Sequence, residues 1–124
     1  MSLQPVAQQE FIEKTLHAIS QINDNIRDLE QRIRHIYDRR EMLVRLCEAR
    51  DTTMGTIYTT YPQSKVESMI EVIKVSHELA MQTIGVPQLY DIILIELPLL
   101  KADLKSKKDE KTILFKSLNE QYMS

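Results

Sequence analysis

The sequence predicts an all-α protein in which two further helices pack back on the C-terminal half of a long N-terminal coiled-coil helix, forming an elongated helical bundle. Apolar residues recur at alternating three- and four-residue steps from Ile12 to Cys47, as in a helix that packs lengthwise against another helix. The chain has 2 glycines, no tryptophan and 6% aromatic residues, which suits helices better than a turn-rich β-sandwich. Its 43% hydrophobic content argues against intrinsic disorder.

The composition also limits the size and the class of the protein. A chain of 124 residues suffices for one domain with a modest core, so we expect residues 1–124 to form a single helical domain. A formal net charge of -2 gives no overall attraction to nucleic acid or to an anionic membrane. The single cysteine excludes an intrachain disulfide and a cysteine-based zinc site.

The hydropathy pattern contains no predicted export or membrane segment. The N-terminus lacks a basic region followed by an apolar stretch. The longest apolar run, residues 92–95, is far shorter than the ~20 residues that span a bilayer. We therefore expect a soluble, intracellular protein, cytoplasmic or nuclear, without a transmembrane segment.

The first helix is predicted over residues 6–50. Isoleucines and leucines occupy the a and d positions of a heptad repeat, so they form one apolar seam along the helix. The seam consists of Ile12, Ile19, Ile22, Ile26, Leu29, Ile33, Ile36, Leu43 and Cys47. Ion pairs four residues apart, such as Glu41–Arg45, add only about 0.2–0.5 kcal/mol each. Burial of the seam must therefore supply most of the stability.

Residues 51–63 are expected to form a connector. Several threonines, Gly55 and Pro62 all weaken a helix, and the segment has no strand partner. The sequence around Tyr58 and Tyr61 would otherwise suit a short strand.

The second helix is predicted over residues 64–85. Ser64 and Glu67 match a capping box at its start, and Gly85 is a standard helix stop at its end. Beyond the main apolar face, Val72, Val75 and Leu79 broaden the apolar surface of this helix. We therefore expect the second helix to touch more than one neighbour.

The third helix is predicted over residues 87–121, with a kink near Pro98. Proline removes one backbone hydrogen bond and clashes with the carbonyl of Leu94. Asp91–Leu97 could instead be a buried strand, because periodicity alone does not classify a short apolar run. The leucine pattern continues past the proline, which favours the helix.

The predicted lengths leave part of the seam uncovered. The three helices would be about 65, 30 and 50 Å long, so two helices folded back on the first would cover only its second half. Residues 12–26 would then lack an intrachain partner, which is an improbable surface for a soluble monomer. The predicted partner-binding residues are Ile12, Leu16, Ile19, Ile22, Ile26 and Leu29. The expected partner is a second copy of the chain or a heteromeric coiled-coil partner, in parallel or antiparallel orientation.

No residue pattern predicts chemistry. His17 and His35 fall on outer heptad positions, and His77 on the apolar face of the second helix indicates a satisfied, partly buried histidine. Cys47 is expected to be a small core residue. The two glycines are thirty residues apart and cannot form a phosphate-binding loop. We predict no catalytic, cofactor-binding or metal-binding residue and no small-molecule substrate.

One further cluster of side chains is expected to be mainly core packing, with a second binding surface as the alternative. Tyrosine is enriched at interfaces, and methionine surfaces adapt to several partners. The cluster consists of Met54, Tyr58, Tyr61, Met69, Met81 and Tyr90.

These observations predict a protein–protein interaction subunit, a coiled-coil scaffold or adaptor in a larger assembly, and no enzyme. One alternative is a nucleic-acid-associated helical protein that uses the lysines of residues 101–116, although nucleic acid is not the expected partner. That alternative requires binding that weakens steeply with salt. The other alternative is a small secretion-type chaperone that holds an unfolded client.

Overall fold

The computed structural model describes residues 5–123, and every regular element in that part of the chain is helical. The elements are α1, Pro5–Thr60; α2, Gln63–Ile84; α3, Val86–Asp91; a π-helical turn, Ile92–Glu96; and α4, Leu97–Met123. The all-α prediction is confirmed, and the long N-terminal helix packs against the other helices.

The chain divides into two compact units. The first contains residues 5–33 and 97–123, and the second contains Arg34–Glu96. The N-terminal half of α1 therefore packs with α4, whereas its C-terminal half packs with α2. That the residues form a single domain stays a prediction.

In the first unit, the apolar seam of α1 is buried. Ile19, Ile22 and Ile26 are 5%, 7% and 8% exposed, and Leu97 and Leu118 of α4 are buried as well. Near the start of α1, the Gln8 Nε2 group donates a hydrogen bond to the carbonyl of Gln121, at 2.9 Å. The end of α4 thus lies beside the start of α1, and the two helices run antiparallel.

The expectation that residues 12–26 lack an intrachain partner is therefore wrong. It assumed that the chain reverses after Gly85 and returns over the second half of the first helix. In fact α2 and α4 each run antiparallel to the segment of α1 that they cover. Within the first unit, α4 covers the N-terminal part of α1.

In the second unit, α1 and α2 form an antiparallel pair. Ile57 packs with Val66 and Ile70 at one end, and Met54, Met69 and Ile73 pack against this cluster. At the other end, the Arg39 Nη2 group donates a 2.7 Å hydrogen bond to the carbonyl of Ile84. Arg39 therefore satisfies a carbonyl at the C-terminus of α2 that the helix itself leaves without a donor.

The predicted connector at residues 51–63 is wrong, because α1 continues to Thr60. The threonine hydroxyls bond back to helical carbonyls, Thr56 to Thr52 and Thr59 to Gly55, each at 3.1 Å. The buried cluster that Ile57 forms with α2 supplies the tertiary packing that offsets the weak helix propensity of this segment. The helix ends before Pro62 because proline disfavours the helical conformation in the residue that precedes it.

The boundaries of α2 agree with the prediction within one residue, although the capping box is wrong. Pro62 is the N-cap residue, with extended backbone angles and no side-chain hydrogen bond, so Ser64 lies inside the helix. Gly85 ends α2 as predicted, in the left-handed conformation with φ 75° and ψ 47°. Its N–H donates to the carbonyls of Met81 and Gln82.

The segment around Pro98 is helical, so the strand interpretation of Asp91–Leu97 is wrong. The predicted single helix is interrupted by the π-helical turn Ile92–Glu96. A π turn pairs each N–H with a carbonyl five residues earlier, which lets a helix accommodate the donor that proline lacks. Leu89, 1% exposed, fixes α3 in the second unit.

Replacing Ile22 with alanine is expected to lower the free energy of unfolding by about 2–5 kcal/mol, since the side chain is buried within the chain. Leu16, which is 47% exposed, is the control, and its alanine variant should stay within about 0.5 kcal/mol of the parent. Urea denaturation followed by circular dichroism measures both. Equal losses would contradict intrachain burial of the seam.

The two glycines are expected to respond to alanine in opposite directions. At Gly85, alanine must adopt positive φ, and its Cβ would lie 3.0 Å from Arg39 Nη2, so stability should fall by about 1–2 kcal/mol. At Gly55, an added Cβ would have no atom of the described residues within 4 Å, and alanine should stabilise the helix by about 0.5–1 kcal/mol. Thermal and urea unfolding of the two variants measure the difference. If Gly85→Ala stabilised the protein, Gly85 would not be required in its left-handed conformation to end α2.

Candidate protein-binding surface

Helix α2 has apolar side chains on two opposite faces. Val66 and Ile70 are buried on one face, in the second unit. On the other face Val72, Val75 and Leu79 are 63%, 49% and 59% exposed. Their three- and four-residue spacing places these three side chains in one line, which we call the α2 stripe.

Uncharged polar residues extend the line of the α2 stripe in both directions at heptad spacing. Ser68 precedes Val72 by four residues, and Gln82 follows Leu79 by three. The whole line from Ser68 to Gln82 is about 20 Å long and carries no charge. An uncharged line of this length is the contact surface that a second helix uses when it packs lengthwise.

The stripe has one acidic border. Glu71 and Glu78 immediately precede Val72 and Leu79, so they occupy the g positions beside an a residue. Both glutamates are exposed, and among the described residues neither takes part in an ion pair. The e positions on the opposite border, Ser76 and Thr83, are uncharged. The sequence prediction did not include the two glutamates, although their place one residue before the stripe was the signal that could have identified them.

The sequence-predicted partner-binding residues lie mostly inside the first unit. Ile19, Ile22, Ile26 and Leu29 are buried there, and Ile12 is half-buried. Of the predicted set, only Leu16 is exposed. In this conformation the seam is covered by the chain itself.

The tyrosine and methionine cluster separates into two groups. Met54 and Met69 pack against the buried cluster at the α1–α2 end, in agreement with core packing. Tyr58, Tyr61 and Tyr90 are 60%, 44% and 67% exposed. The methionines therefore stabilise the second unit, while the tyrosines lie at its surface.

Two lysines of α4, Lys107 and Lys111, are half-buried, whereas the other lysines of this helix are exposed. Lys107 is half-buried, and its Nζ lies 3.7 Å from the Glu110 carboxylate. The Nζ of half-buried Lys111 lies 5.8 Å from the centroid of the Phe115 ring. Both residues follow the seam spacing of α4, so their stems are buried while their amines reach outward.

Small-ligand chemistry has little support in the geometry. The described residues contain no group of three or more histidines, cysteines or acidic residues that could hold a metal ion. A groove of about 450 Å³ is lined by residues of α4 alone, so it is the open side of one helix. Cys47 is half-buried and free, and His17 and His35 are exposed, as expected.

No single helix in the described part of the chain is both long and apolar enough to cross a membrane. Only a bent pair of helices, Gln63–Ile84 with Val86–Tyr122, reaches the required length and composition together.

His77 lies on the packed face of α2 and departs from expectation. Its Nε2 atom is buried, and the described residues provide no hydrogen-bond partner for it. The prediction of a satisfied histidine is therefore wrong for this nitrogen. A buried polar atom without a partner costs about 1–3 kcal/mol.

Replacing His77 with leucine is expected to raise the free energy of unfolding by about 1 kcal/mol, because it removes the unsatisfied nitrogen and keeps apolar bulk. Exposed His35 is the control, and His35→Leu should change stability by no more than about 0.5 kcal/mol. Urea denaturation measures both variants. A clear loss of stability in His77→Leu would mean that Nε2 has a partner in solution.

The comparisons with known proteins supply no family. No family model, no curated protein and no solved structure matches the chain. The α2 stripe and its acidic border are one candidate binding surface among the exposed apolar residues of the described chain.

Proposed function

We propose that the chain is a protein–protein interaction subunit, a scaffold or adaptor in a larger assembly, that binds a partner helix through the α2 stripe. The observation that carries this proposal is the line of exposed Val72, Val75 and Leu79 opposite the packed face of α2. The α1 seam, which the sequence pattern favours as the binding surface, is occupied by the chain itself. We therefore propose α2, and not α1, as the helix that binds the partner.

The energetics support a binding role. A valine or leucine contributes about 1.5–3 kcal/mol when it passes from full exposure to full burial. The stripe residues are about half exposed or more, so a partner would gain a substantial part of this energy from each. The 3–4 spacing suits a helix in a groove or a lengthwise helix pair, the two common modes of helix recognition.

Preorganisation also supports a binding role for α2. The opposite face of α2 is held by Ile57 of α1 and by the Arg39 hydrogen bond, so the stripe lies on an ordered element. An ordered surface loses less conformational entropy on binding than a mobile one. Exposed Ile113 of α4 is a single apolar side chain in its neighbourhood, which is normal for a protein surface.

Photo-crosslinking tests the proposal directly. A photo-crosslinking amino acid in place of Val72 or Val75 is expected to give the same discrete adduct in cells that express the full chain. The adduct should disappear when Leu79→Asp is added, because a charge in the stripe opposes burial. Ile113, 64% exposed and similar in this respect to Val72, is the control position.

Two results would overturn the proposal. One is that Val72, Val75 and Ile113 give the same adducts, since capture would then not depend on the stripe. The other is that Leu79→Asp leaves the adduct unchanged while circular dichroism shows the fold intact.

A further inference from the structure

We infer that the helix that docks on the α2 stripe carries lysine or arginine beside its own apolar face. This inference rests on the proposed function and adds the chemistry of the partner. It is carried by the acidic border that Glu71 and Glu78 form along one side of the stripe.

The two glutamates lie where they would face a helix docked on the α2 stripe. In a lengthwise helix pair, g residues border the apolar contact and face the partner's e residues when parallel or its g residues when antiparallel. Glu71 and Glu78 occupy successive g positions, and both are exposed without an ion pair among the described residues. A partner in either orientation thus meets two carboxylates that form no ion pair among the described residues, although Lys74 lies three residues after Glu71 and four before Glu78.

The acidic border distinguishes a foreign helix from a second copy of this chain. Antiparallel self-pairing brings Glu71 of one copy towards Glu78 of the other, which places like charges together. Parallel self-pairing places the glutamates beside the uncharged Ser76 and Thr83. Self-pairing thus gains no ion pair in either orientation, whereas a helix with basic residues at these positions gains two.

The opposite border of the α2 stripe is neutral. Ser76 and Thr83 carry no charge, so they impose no electrostatic requirement on the other edge of the partner. An anionic lipid surface would meet the same two carboxylates and be repelled by them. The charge pattern therefore selects a helix with one basic edge rather than this chain or an acidic membrane.

Two designed peptides test the inference with the full chain. Each is a helix of about three heptads with leucine at a and d, and the two differ only in lysine or glutamate at e and g. Fluorescence titration is expected to show the lysine peptide binding about tenfold more tightly than the glutamate peptide at low salt, since exposed charge pairs each contribute modestly. The preference should shrink at high salt, because screening weakens exposed ion pairs.

Charge-reversed variants separate the local effect from net charge. Glu71→Lys with Glu78→Lys should reverse the preference, so that the glutamate peptide binds more tightly. Glu30→Lys with Glu48→Lys makes the same change in net charge at exposed positions outside the stripe and should keep the parent preference. Circular dichroism and thermal unfolding verify that each variant is folded.

The outcomes distinguish this inference from the proposed function. If both peptides bind equally and Val75→Asp abolishes binding, the stripe docks a helix but the charge inference is wrong. If neither peptide binds the parent chain, the stripe itself fails as a docking surface. If both charge-reversed variants come to prefer the glutamate peptide, net charge is responsible, because each changes the net charge by the same amount. If both keep the lysine preference, Glu71 and Glu78 do not cause it. Either result overturns the inference.

Two direct measurements cover the other occupants. Light scattering over a dilution series is expected to show a monomer. A dimer that the Val75→Asp change dissociates would mean that a second copy of the chain occupies the α2 stripe. Sedimentation with phosphatidylserine vesicles is expected to leave the parent chain in solution. Cosedimentation that Val75→Asp abolishes would replace the partner helix with a lipid surface.

Discussion

The burial of the α1 seam by helices of the same chain is the interaction on which the rest of the structure depends. Ile19, Ile22 and Ile26 are each less than a tenth exposed, and a fully buried isoleucine contributes about 1.5–3 kcal/mol. Ion pairs add little to this stability, because exposed pairs such as Arg45–Glu41 contribute only about 0–1 kcal/mol each. A helix of 56 residues is stable here because α4 and α2 cover successive parts of it.

That constraint decides which surfaces remain for other molecules. Since α4 covers the N-terminal part of α1, the isoleucines that would otherwise bind a partner are used within the chain. Helix α2 uses one face against α1 and is fixed at its C-terminus by Gly85 and the Arg39 guanidinium. Its opposite face, with Val72, Val75 and Leu79, has no such use. The apolar side chains available to a proposed partner are thus those that the intrachain packing leaves exposed.

The charges on α2 would make that surface selective among partner helices. A purely apolar line would accept many helices, including a second copy of the chain. In the proposed contact, Glu71 and Glu78 along one edge would make self-pairing less favourable and favour a basic helix, while the neutral opposite edge would impose no charge requirement. Burial therefore supplies the energy of the proposed contact, and the two carboxylates supply its selectivity.

The sequence by itself determined the helical class, the α1 seam and the stop at Gly85, because periodicity and backbone chemistry act locally. It also marked Val72, Val75 and Leu79 as surplus apolar surface. Only the tertiary structure decided what covers each face, since a repeat reports which side chains share a line but not which helix meets them. Packing likewise kept residues 51–60 helical, because Ile57 is buried with Val66 and Ile70 and Met54 packs against them, and together these contacts offset the weak helix propensities of the threonines and Gly55.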